Sequence, residues 1–132
     1  SDVYKRQLHN IVIERYKTYP AVLKILGTVR DIPDPHEKHW QSLENNPEQL
    51  LPVADALIGH LYSEAGLVMS METRNALLSV YYACHIFQEK QITRTRLVQE
   101  FFQARRQLRS DLQIEDLGKK SELAKIRENF SS

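Results

Sequence analysis

His36-Glu37-Lys38-His39 sets two imidazoles and a carboxylate within one short stretch, a composition that can hold a metal and activate a bound water. The spacing works against that chemistry. Two histidines four apart on a helix stand over one ion with the glutamate beside it as base, whereas here they are three apart and no third ligand follows. The stretch is expected to be a solvated segment that starts a helix. His60 and Glu64 do have the i, i+4 spacing that shares a helix face, but again lack a third partner, and His60 is expected to be packed or hydrogen-bonded in the core. His9 and His85 carry no ligand pattern. Cys84 is the single cysteine, so no internal disulfide can form. On an apolar helix face with no cation nearby, it is expected to be a buried, inert thiol. Ser63 and Ser70 lack a nucleophile elbow, and four singly scattered glycines make no phosphate loop. No catalytic set assembles. The chain is expected to be no enzyme and to need no cofactor or metal.

The richest chemistry lies in QARRQLRSDL, where Arg105, Arg106 and Arg109 stand on adjacent helix faces. Two uses compete. As structural groups, the arginines pair with acids such as Glu64, Glu72, Glu100 and Asp111, because a planar guanidinium suits a partly buried carboxylate. As functional groups, Arg105, Arg106 and Arg109, extended by Arg94 and Arg96, contact the phosphates of nucleic acid or lipid. With 18 basic against 17 acidic side chains and a net charge of +1, no global field draws in a polyanion, and the interleaved acids favour pairing. Glu64 and Arg74 flank AGLVMSMET and are expected to meet across it, fixing the angle between two helices. The ion-pair candidates are therefore Glu64, Arg74, Arg105, Arg109 and Asp111.

These side chains need helices to position them. Over residues 8–29 apolar side chains recur at helical spacing, interrupted by Pro20, where a kink or restart is expected because an interior proline costs about 3 kcal/mol. Asp31-Ile32-Pro33-Asp34-Pro35 is turn chemistry, and a short helix follows over residues 36–44. Asn46-Pro47-Glu48 resembles a helix start, with asparagine as cap and proline in the first turn; Gly66 is its expected stop. Ser70 is placed to cap a helix running to about residue 89, whose face carries Leu77, Val80, Tyr81, Cys84 and Phe87. Thr93 is placed to cap the last long helix, over residues 94–112, whose Leu97, Phe101, Ala104, Leu108 and Leu112 form a seam. The short link between the two makes an antiparallel αα-hairpin. Both partners are long, which suits a bundle better than groove-reading helices. No sustained period-two alternation marks a strand, so the fold class is all-α: a compact bundle of four to five helices with a C-terminal αα-hairpin. Residues 113–132 form a polar tail in which Leu123, Ile126 and Phe130 can make one docked helix. At 132 residues the length suits one domain, and it can bury roughly two thirds of its unfolded surface. No apolar run reaches the ~20 residues that span a bilayer.

Ser1 to Gln7 can be back-translated as TCA GAT GTG TAT AAG AGA CAG, which resembles a transposon mosaic-end sequencing adapter. Residues 1–7 are therefore set aside as an adapter scar, the domain is expected over 8–112, and native sequence is expected upstream. LYSEAGLVMSMETRNAL and FFQARRQLRSDL resemble helical cytosolic domains of uncharacterised bacterial proteins, some carried behind transmembrane helices and ending in an arginine-rich R-x-D-L helix like Arg109-Ser110-Asp111-Leu112. The resemblance implies a cytoplasmic domain, with a membrane reached only through an N-terminal segment outside this sequence. The leading expectation is a non-catalytic interaction module with a protein partner or self-association. The runner-up is a nucleic-acid-binding module using the arginines.

Overall fold

The computed structural model describes residues 2–30, 37–113 and 128–130. Six α-helices follow in order: α1 (Asp2–Leu26), α2 (Glu37–Asn45), α3 (Leu50–Leu61), α4 (Glu64–Leu67), α5 (Met71–Gln88) and α6 (Arg94–Gln113), with a 3-10 turn over Pro47–Gln49. No strand occurs among the described residues. The all-α bundle is thus built on four long helices, with α2 and α4 as short connectors.

The seam of α6 closes as its spacing requires: Leu97, Phe101, Ala104 and Leu108 are fully buried, and burial of each large member stabilises by about 1.5–3 kcal/mol. Leu77, Val80, Cys84 and Phe87 of α5 join them in the core. α5 packs on both α3 and α6, while α1 lies against α6, α3 and α4. The hairpin is fixed at both ends of its link. Lys90 takes a left-handed φ of 60°, its N–H donates to Phe87 O, and Gln91 N–H donates to Ile86 O, which satisfies the last carbonyls of α5. On the far side, Thr93 Oγ1 accepts from Arg96 N–H at 3.2 Å. Ser70 caps α5 in the same way, accepting from Thr73 N–H.

Three local expectations are corrected. The restart expected at Pro20 does not occur, since α1 is one helix through it; Tyr19, Val22 and Leu26 around it are buried, and that burial offsets the lost backbone bond. Asn46 does not cap α3: its side chain donates to Ser42 O, and the chain passes through the 3-10 turn before α3 begins at Leu50. Gly66 ends nothing and lies inside α4. A Cβ there would stand 1.7 Å from Leu61 O, so glycine is needed for close approach of two backbone segments.

Residues 2–7 continue the same helix as the rest of α1, and side chains from residue 2 to residue 10 are exposed. The tail helix expected around Leu123 and Ile126 falls outside the described residues; Phe130 is exposed. Among the described residues, no helix is long and apolar enough to cross a membrane.

Candidate anion-binding groove

The arginines of α6 divide into two groups. Arg94, at the first turn, lies with its guanidinium 5.0 Å from the ring centre of buried Trp40. It donates to both Glu37 carboxylate oxygens and to Glu44 Oε1 at 2.9 Å. The hydrogen bond to Glu37 is the main cause holding its proton more tightly than usual. Arg96 pairs one turn on with Glu100 at 2.8 Å. Both arginines tie charge to carboxylates and serve the fold, Arg94 by fastening α2 to α6.

Arg105, Arg106 and Arg109 form no ion pair among the described residues. Arg105 is half-buried, and its Nη1 donates to Leu26 O at 2.9 Å and Val29 O at 3.0 Å. It caps carbonyls that the end of α1 leaves open. Burial, then the neighbouring Arg109 and Arg30, loosens its hold on its proton. Arg30 in turn donates through Nε to Gly27 O. Lys24, Arg30, Arg105 and Arg109 converge on a groove of about 670 Å³ floored by Leu23, Gly27 and Thr28, and no carboxylate lines it among the described residues. The end of a helix carries about half an elementary negative charge, which cannot balance four full positive charges. The groove is a local cationic site on a chain of nearly zero net charge.

Asp111, the remaining acid of this half of α6, does not neutralise the arginines. It is only 2% exposed, and its Oδ2 accepts from Tyr19 Oη at 2.6 Å, Thr73 Oγ1 at 2.9 Å and Ser70 N–H at 3.2 Å. Arg15 flanks this knot, donating to the backbone carbonyls of Val68 at 2.7 Å and Asp111 at 3.1 Å. One carboxylate thereby joins α1, the start of α5 and the end of α6. Its role is to fill donors in the core, and the expectation that it pairs with Arg105 or Arg109 is corrected.

Glu64 and Arg74 likewise do not meet. Glu64 points to solvent, and Arg74 reaches the carbonyl of Gly66 at 3.2 Å, because the tight Leu61–Gly66 approach brings that backbone within its range. His60 lines a shallow groove with Thr18, Ser63 and Glu64 rather than lying in the core. His39 is exposed on α2 and packs edge-on to Trp40; His36 lies outside the described residues. No group of three metal-ligating side chains occurs among the described residues. Cys84 is fully buried, and burial pushes its thiol up to about 12.

Sequence reasoning found Arg105 and Arg109 but missed Lys24 and Arg30. Both flank the end of α1 and the turn after it, so a pattern of cations against a helix end was present; their meeting with α6 was not. Trp40, Tyr19 and Arg15 were missed as polar or cation-binding groups because each carries its partner from a distant segment. No protein-family model, curated protein or solved structure matches this chain.

Proposed function

We propose that the domain binds nucleic acid by its phosphates in the groove between the end of α1 and α6. The observation that carries this reading is the convergence of Lys24, Arg30, Arg105 and Arg109 without a carboxylate among the described lining residues. Gathered cations repel one another, and the described residues of the groove supply no counter-charge; a string of phosphates supplies one. A concave channel suits a strand, whereas helices that read duplex DNA present a convex face to the major groove. Arg105 shapes the site by holding the end of α1, and Lys24, Arg30 and Arg109 provide the ionic contacts.

The test is a salt titration of oligonucleotide binding. For single strands, log K falls against log salt with a slope of about −0.7 per phosphate neutralised, so three to four contacts give roughly −2 to −3. Arg109→Ala lowers affinity across all sequences and reduces the steepness by about 0.7, while Arg96→Ala changes neither. Binding that is absent, or insensitive to salt, overturns the reading.

A second reading, a surface for a protein partner or another copy, is favoured by a separate feature. Tyr62, Leu67 and Met71 are 79%, 85% and 67% exposed around α4, and clustered apolar exposure is a feature of contact surfaces. Sedimentation equilibrium of the wild type and Leu67→Ser tests the second-copy form: a concentration-independent monomer in both removes it.

A further inference from the structure

Phe101 and Phe102 are adjacent and have opposite fates. Phe101 is fully buried in the α6 seam, while Phe102 is 50% exposed. Phe102 lies three, four and seven residues before Arg105, Arg106 and Arg109, the spacings that place side chains along one helix face. That face also carries Val98 and Gln99 and no acid. The two acids of α6 are elsewhere: Glu100 is paired with Arg96 and Asp111 is buried in its knot. An open aromatic ring thus stands in line with a cationic groove, with neither acid of α6 between them.

Resting on the phosphate reading above, we infer that the ligand is a single strand and that Phe102 stacks one of its bases while Arg109, Arg30 and Lys24 hold the backbone beside it. A free aromatic face has a partner only where bases are unstacked; in a duplex both faces of an internal base are covered by its neighbours. Stacking on a single ring is tolerant of sequence because every base has a π-face. The module therefore prefers single strands without reading a sequence.

The experiment is fluorescence-anisotropy titration of the full chain with a labelled oligo(dT) 12-mer, the matching duplex, and inorganic polyphosphate. Phe102→Ala is expected to weaken single-strand binding by about 5- to 150-fold, the range that corresponds to loss of one base stack. Polyphosphate binding and the salt slope stay unchanged, and Phe102→Trp restores affinity. Phe102→Leu keeps apolar bulk without a ring and shows the same loss, so a folding defect in the alanine variant cannot imitate the result. Wild-type affinity in both Phe102→Ala and Phe102→Leu overturns the inference, as does tighter binding of the duplex than of the single strand. Failure of the wild type to bind any of the three probes sinks the phosphate reading itself; loss confined to none of the variants sinks only the stacking.

Discussion

The first turn of α6 and its last three turns carry the same residue type in opposite states. Arg94 and Arg96 have carboxylate partners in Glu37, Glu44 and Glu100. Arg105, Arg106 and Arg109 have none among the described residues, and Arg105 is crowded by Arg109 and Arg30. Charge that is paired internally contributes to the fold and offers little to a ligand. Charge gathered without a partner is a strain on the folded state, and relief by an external anion is a source of affinity. This contrast, on one continuous helix, separates the arginines committed to the fold from those proposed to meet a ligand better than their spacing does.

The largest expected effect tests the acid that stands among the unpaired group yet does not serve it. Asp111→Ala strips Tyr19, Thr73 and Ser70 of a shared buried acceptor and is expected to lower unfolding stability by about 3–5 kcal/mol, measured by urea denaturation. A loss under 1 kcal/mol would mean that the knot is not what joins α1 to α6.

Next in size is a pH effect from two buried groups, one of them in the same knot. Burial, reinforced by the Asp111 hydrogen bond, raises the Tyr19 hydroxyl above its ordinary value of 10.0, and burial lifts Cys84 from 9.0 to about 12. Both groups keep their protons in the folded state at pH values where the unfolded chain loses them. Their contribution is therefore complete below about pH 9 and declines as pH rises, by up to about 1.4 kcal/mol per pH unit for each group. Cys84→Ala should remove the part that begins near pH 9 and leave the part that begins near pH 10. A flat stability profile from pH 8 to 11 would contradict both assignments.

The smallest effects bear on the two arginine groups directly, and their signs should differ. Arg94→Gln breaks exposed ion pairs and a contact with the Trp40 ring, and is expected to destabilise by about 1 kcal/mol. Arg109→Gln relieves like-charge crowding and is expected to stabilise by a few tenths of a kcal/mol. Thermal unfolding of the two variants at low salt measures both. Equal destabilisation by the two changes would erase the distinction between the groups.

Much of the architecture was legible in the chain. The seam at Leu97, Phe101, Ala104 and Leu108, the Ser70 and Thr93 caps and the hairpin between α5 and α6 all follow from local spacing, since each depends on residues within a few turns of one another. The restart expected at Pro20 and the stop expected at Gly66 fail for one shared reason. Their local preferences are worth one to a few kcal/mol, and burial of Tyr19, Val22 and Leu26, or a backbone contact at Leu61, outweighs preferences of that size. The ion-pair forecast failed at Glu64–Arg74 for a related cause: side-chain reach depends on where the backbone carbonyls of a tight turn come to lie, and Gly66 O was the nearer partner for Arg74.

Helical class, the apolar stripes and the stock of arginines are written in residue order, because periodicity and composition are local properties. Which arginine meets a carboxylate is not. Glu37 and Glu44 reach Arg94 from 57 and 50 residues away, and Leu26 and Val29 meet Arg105 from 79 and 76. Coulomb energy varies with spatial distance and burial, so only the packing of α1 and α2 onto α6 could decide which cations were neutralised and which were left facing an open groove.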